Sequence, residues 1–438
     1  MNKLLYIVLV SMLFIISACD NDLEQFPSNI ASSESLTEYD GVLNASYFYQ
    51  LGTVTPMAVM GDFRADNALM LEPPYTEFDR FTPSLTDMEE QFFGPFYTAS
   101  YKSILSANNV IENSTIATEI GEARFLRALA YFKLVRVFGD VPLNLAASPS
   151  ITDGSILERR RAADVYNAIV SALQDAIGIL DAKITDGRAS KYAAQGLLGK
   201  VYMQMGDYGS AEPELAAVIS GAADADISLQ ENFADIFGEA NDLNSEIIYA
   251  TQVSSSITDE YGFSEFWSWS AGLDTKSLMP LDPDLVAAFD ASPGDLRRAV
   301  TIDTALMASP KFPQSGGPDH DWIELRLGDV LLMYAETLNE NGSSAEDALD
   351  VLDPIRTRAG LDPLDHNDLT SQAMVKQAIQ DERRLELAFE GQRWFDLVRT
   401  GTVDAEMGEM IDSKYYVFPL PDSEVLASFG VITQNDGY

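Results

Sequence analysis

The sequence predicts a mainly α-helical protein: a tetratricopeptide-like helical-repeat scaffold with long irregular loops. Three observations predict it. Apolar residues recur three and four apart along several long segments, the spacing that puts them on one face of a helix. Around residues 192–220, small and large residues alternate in the pattern of two closely packed antiparallel helices. Two proline-rich stretches separate the helical patterns, and both are too long for ordinary connections inside a compact domain.

Taken in order along the chain, Leu4–Ile16 is an apolar run behind Lys3. It has the length of a secretory h-region and is too short to span a bilayer. It ends in Ser17-Ala18-Cys19, small residues leading into the only cysteine of the chain. This predicts a lipoprotein signal peptide over residues 1–18 and lipid attachment at Cys19. With no second cysteine, an intramolecular disulfide is impossible. Each acyl CH₂ buried in a bilayer adds about 0.8 kcal/mol, so several chains on Cys19 would anchor the protein firmly. Residues 19–35 are polar and acidic, broken by Pro27, and predict a tether. Residues 36–438 are then read as a single domain.

Tyr47-Phe48-Tyr49 belongs to an early helix and is expected in the core. Residues 54–90, with Pro56, Pro73, Pro74 and Pro83, are expected to be non-helical. Glu122–Phe138 is apolar nearly all round, broken by Arg124, Arg127, Lys133 and Arg136. It predicts a helix buried on most sides, with Arg124 and Arg127 paired to acids inside. Arg159-Arg160-Arg161 reads as a solvated loop leading into a helix. That helix, residues 164–180, carries Val165, Ile169, Leu173, Ala176, Ile177 and Leu180 as one stripe. Leu198-Gly199-x-x-Tyr202 followed by Ala211-x-x-x-Leu215 forms the helix pair, with its turn at Gly206-Asp207-Tyr208 and Gln195 where the repeat pattern has tryptophan. Residues 323–341 and 344–358 repeat the layout about Gly342. Residues 254–318, with six prolines and Gly316-Gly317, form the second non-helical stretch.

Composition narrows the function. The chain has 68 acidic and 28 basic residues, a formal net charge of −40. Such a surface repels phosphate backbones, which excludes nucleic acid as a partner. Two histidines, His320 and His366, and one cysteine leave no Cys/His zinc site. Asp282, Asp284, Asp290 and Asp295 do not have the spacing of an EF-hand loop. No nucleophile elbow is present. No cofactor, metal or catalytic residue is expected.

Eight stretches carry a family likeness. Gly61-Asp62-Phe63-Arg64-Ala65-Asp66-Asn67 is followed by Asn108-Asn109-Val110-Ile111. Next come Glu122–Phe132 and Phe138-Gly139-Asp140-Val141-Pro142-Leu143. The last third holds Leu332–Glu340, Ile355-Arg356-Thr357-Arg358-Ala359-Gly360-Leu361, Glu382–Arg399 and Val417-Phe418-Pro419-Leu420-Pro421. In order and spacing this closely resembles the SusD/RagB family of Bacteroidetes outer-membrane nutrient-binding lipoproteins. The resemblance implies a single helical domain of four tetratricopeptide-like units, lipid-anchored in the outer membrane and facing the exterior. It implies a SusC-like TonB-dependent transporter as partner. It implies oligosaccharide or polysaccharide ligands, or peptides as in the RagB branch. It also makes Asp295-Leu296-Arg297 a structural turn.

Sugars are recognised by flat aromatic faces and by side chains that bond hydroxyls. Phe263, Trp267 and Trp269 fit the first need. The two tryptophans stand two apart, on one side of an extended segment. Tyr75, after Pro73-Pro74, is a second stacking candidate. Arg64, Asp66 and Asn67 are candidate hydroxyl partners. Trp322, beside His320 and Asp321 at a helix entrance, completes the set. Glu386, Glu390 and Arg393 lie at i, i+4 and i+7, one face of a continuous helix. Carboxylates interleaved with arginines stay ionised, so this face reads as a buried ion-pair network rather than a glycosidase acid pair.

Overall fold

The computed structural model describes residues 38–71, 73–148, 154–183, 185–253, 281–312 and 320–438. Helix α1 (Asp40–Ala58) opens with an acid in its first turn, where the helix dipole favours one. It does not stop at Val54 as expected: residues 50–58 are all buried, Pro56 included. Packing on that face outweighs the hydrogen bond that proline removes. The helix then widens into a π-turn, Val59–Phe63. Tyr47, Phe48 and Tyr49 lie in α1 but are half-buried rather than core.

Helix α2 (Gly94–Asn113) carries proline in its first turn, where no intrahelical N–H is lost. Helix α3 (Ala117–Phe138) is buried almost continuously from Ala123 onward, which is why its sequence is apolar all round. Helix α4 (Ala162–Ile177) buries the predicted stripe at Val165, Ile169, Leu173 and Ala176.

The predicted pair is α5 (Lys191–Gln204) and α6 (Tyr208–Gly221). Ser190 caps α5 by accepting from Ala193 N at 3.1 Å, and Asp207 caps α6 by accepting from Ser210 N at 3.1 Å. Gly199 makes the close approach: a Cβ there would sit 2.6 Å from Leu215 Cδ2.

Strand β1 (Ile247–Thr251) pairs antiparallel with β2 (Trp322–Arg326). Residues 323–326, expected as helix, are therefore strand. Their pairing with the fully buried β1 outweighs helical periodicity. Helix α7 (Pro283–Asp290) interrupts the second predicted loop stretch. Helix α8 (Leu327–Glu340) follows β2 directly. The predicted helix over 344–358 is two short ones, α9 (Ala345–Asp350) and α10 (Asp353–Arg358), because Pro354 starts the second. Helix α11 (Gln372–Leu387) and α12 (Arg393–Thr400) close the scaffold.

Each helix packs on the next: α1 on α2, α2 on α3, α3 on α4, α4 on α5 and α5 on α6. The series continues through α6 on α8 and α8 on α11. This neighbour-to-neighbour stacking is the logic of a helical repeat. Among the described residues, no helix is long and apolar enough to cross a membrane.

Candidate ligand-binding face

The turn after α1 is built from charge held inside the protein. Asp62 is fully buried and accepts from Asn67 Nδ2 at 2.8 Å, Phe389 N at 3.1 Å and Gly391 N. Burial pushes its carboxyl up to about 6, against the pull of those donors. Arg64, also fully buried, donates to Phe78 O at 3.1 Å and Tyr415 O at 2.8 Å. Its guanidinium carbon lies over the rings of Phe81, Trp394 and Phe418 at 4.5, 5.0 and 4.7 Å. Asp66 is gripped bidentately by Arg393, both bonds 2.7 Å, and paired with Arg384 at 3.0 Å.

The chain between α11 and α12 turns sharply, with Phe389 at φ +67° and Gly391 at φ +72°. The predicted single helical face is thus divided: Glu386 lies on α11, Glu390 in the turn and Arg393 at the start of α12. The ion-pair network is nevertheless there. Arg326 donates to Glu390 Oε2 and Glu246 Oε1 at 2.8 Å each, and to Glu386 Oε1 at 2.6 Å. Arg358 reaches Glu246 and Glu386 as well. Arg297 pairs with Glu386 at 3.0 Å, Glu382 at 2.6 Å and Asp295 at 2.7 Å, which makes 295–297 the structural turn the family likeness implied. Lys311 satisfies the end of α11, donating to Glu386 O at 3.2 Å and Ala388 O at 2.8 Å. Burial would raise the Glu386 carboxyl, but the charges of Arg358, Arg326 and Arg297 outweigh it and hold the group well below its ordinary range. A carboxylate so held is no general acid.

This frame carries a loop. Ala68 bridges to Leu281, Asp282 N donates to Asn67 O at 3.1 Å, and Leu281 N donates to Met307 O at 3.0 Å. The loop tip holds Tyr75, half-buried, its hydroxyl accepting from Gln91 Nε2 at 2.9 Å and its ring edge-on to Phe92. Asp79, also half-buried, accepts from Met70 N at 2.6 Å, and burial pushes its carboxyl up to about 7. Among the described residues no cluster of ligands for a metal ion forms.

Two family profiles match this chain. One, described as the SusD family, matches residues 302–414. The other, described as "Starch-binding associating with outer membrane", matches residues 19–203. The chain belongs to the SusD/RagB family. SusD-like protein P2 of Formosa agariphila is 26% identical, with 99% of each chain covered. Starch-binding protein SusD of Bacteroides thetaiotaomicron is 23% identical, covering 77% of this chain and 76% of its own. A solved laminarin-binding SusD-like protein superimposes with a TM-score of 0.71 at 24% identity, covering 92% of this chain and 99% of that one.

In this SusD-family chain the candidate ligand residues separate into three groups. Arg64, Asp66, Asn67 and Trp322 are buried and make their contacts inside the protein. Arg64, Asp66 and Asn67 bind other parts of the turn and of α11–α12. Trp322 is 3% exposed and stacks on Phe312, with ring centroids 6.1 Å apart. Tyr75 alone of the described candidates keeps part of its ring at the surface. Phe263, Trp267, Trp269 and Cys19 lie outside the described residues. Sequence reasoning missed Gln91 and Asp79. Neither has a motif; only the folded loop sets them beside Tyr75 and Met70.

Proposed function

We propose that this protein captures a glycan at the outer membrane and passes it, unaltered, to a SusC-like TonB-dependent transporter. The family match over residues 19–203, described as starch-binding and associating with the outer membrane, carries this reading. Starch-binding and laminarin-binding relatives support a neutral glucan as the ligand class. The Tyr75 loop supplies a partly exposed ring with its hydroxyl tethered, as stacking on a pyranose requires. Phe263, Trp267 and Trp269 provide the larger aromatic faces in this proposal. Cys19 carries the lipid anchor that holds the protein at the exterior.

Calorimetric titration with starch and laminarin oligosaccharides, acidic glycans and mixed oligopeptides tests it. Saturable heat with a glycan is expected. Replacing Trp267 and Trp269 together by alanine should weaken it by about 2–4 kcal/mol, given roughly 1–2 kcal/mol per lost stacking face, with helical circular dichroism unchanged. Heat with peptides alone would move the protein to the peptide-capturing RagB reading. Unchanged glycan affinity in the double variant would remove the tryptophans from the site.

A further inference from the structure

A recess of about 420 Å³ opens between the turn from α8 to α9 and the segment leading into α11. That lies within the range of small-molecule pockets, about 300–1,000 Å³. In a chain of formal net charge −40, only His366 of the described residues lining it can carry charge. The flanking helices bring Glu340 and Lys376, which neutralise each other at 2.8 Å. Buried Val375 and half-buried Leu369 supply the apolar part of the lining.

The polar part consists of amides, hydroxyls and one imidazole. Asn339 and Gln372 lock each other: Gln372 Nε2 donates to Asn339 O at 2.7 Å, and Asn339 Nδ2 to Gln372 O at 3.3 Å. Among the described residues nothing donates to either side-chain oxygen, so both remain as fixed acceptors. Neither the Ser343 hydroxyl nor the His366 ring has a hydrogen-bond partner among them. Ser371 Oγ caps α11 by accepting from Met374 N at 3.3 Å and keeps its proton to give. Thr370 Oγ1 has only a weak acceptor, Met374 Sδ at 3.9 Å. The hydroxyls of a sugar both donate and accept, and this set answers both needs beside apolar side chains for its C–H groups. A carboxylate or phosphate finds no arginine or lysine in the lining, and an ammonium finds no carboxylate. Groups already held in place lower the ordering cost of binding.

We propose that this recess is a second saccharide site. It takes a neutral sugar of one or two rings through the Ser343 and Thr370 hydroxyls, the Asn339 and Gln372 amide oxygens and the His366 ring. This goes beyond the glycan face at the Tyr75 loop and shares no residue with it. Helix α11 runs from the recess toward the corner where Arg384 pairs with Asp66, and its 16 residues span about 24 Å.

The chain has two histidines, so carbon-13 at histidine Cε1 gives two ring signals by nuclear magnetic resonance, and His366→Gln assigns them. Maltose, laminaribiose, sodium acetate and trialanine are titrated separately into the purified full chain at fixed pH and ionic strength. Saturable movement of the His366 signal with a disaccharide is expected, with the signal of buried His320 standing still. Ser343→Ala combined with Thr370→Ala should weaken binding about tenfold, because two hydroxyl hydrogen bonds are lost. Thr370 is exposed and Ser343 half-buried, so the double variant keeps its fold. The reporter sits in the recess, so failure of glycan binding at the Tyr75 loop leaves this result standing, and the reverse holds too. No saturable movement with either disaccharide, equal movement with acetate or trialanine, or unchanged affinity in the double variant overturns the proposal.

Discussion

Asp62 shows what single residues contribute here. It joins two segments more than three hundred positions apart by accepting backbone hydrogens from Phe389 and Gly391. That contact requires glycine on both sides. A Cβ at Gly61 would lie 2.3 Å from the carbonyl carbon of Gly391, and backbone cannot swing aside as a side chain end could. Gly61→Ala is therefore expected to destabilise by about 2–3 kcal/mol or more, at the upper end of overpacking costs, read as a lowered urea midpoint. Gly391 has the second constraint of φ +72°. Arg64, Asp66 and Asn67 looked like ligand groups because their chemistry is that of ligand groups. Their charges and amides are spent on each other's segments instead.

Among the elements, the α11–α12 corner is the most consequential. Its sequence runs through with helical spacing, yet the helix ends at Leu387. The break lets Glu386 and Glu390 approach Arg326 from different directions, and Lys311 takes up the freed carbonyls. Arg326→Gln removes one buried positive charge and its bonds to Glu390, Glu386 and Glu246, leaving Glu386 to Arg297 and Arg358 and Glu390 to Lys311 alone. It should cost about 3–5 kcal/mol, the range for breaking one side of a buried ionic cluster, measured by denaturant unfolding. The helix-pair elements behave differently. The α5–α6 pair was legible residue by residue, because its packing is local and Gly199 and Leu215 announce it. The β1–β2 pairing joins residues about seventy apart, and nothing in residues 322–326 alone reveals the partner strand.

At the scale of the molecule, buried acids of two kinds set the response to pH. Asp62 and Asp79, raised by burial to about 6 and about 7 from an ordinary 3.8, bind protons when folded that the unfolded chain releases. Their contribution grows as pH falls through about 7 and is complete below about 4. Asp329, Glu386 and Glu390 are the opposite case. Burial would raise them, but neighbouring lysine and arginine charges outweigh it and hold them low. Their contribution is present above the unfolded range and is lost as pH falls below about 4. Stability should therefore peak near pH 5, not at neutrality. Urea midpoints measured from pH 3 to 8 check this, and a monotonic rise to pH 8 would contradict the assignment of Asp62 and Asp79.

The helical class of this protein, its α4 stripe, its α5–α6 pair and its family were determined by the sequence, because each rests on spacing within a short stretch or on motifs in order. The expectation that nucleic acid is not a partner rests on charge alone. Tertiary structure decided which polar residues face inward, where α1 and α11 end, and that Ile323 lies in a strand. It also set Gln91 beside Tyr75 and Asp79 beside Met70. The physical reason is the same in each case. Periodicity and composition describe what a segment can bury, whereas the direction of a charged side chain depends on counter-charges that distant segments bring to it.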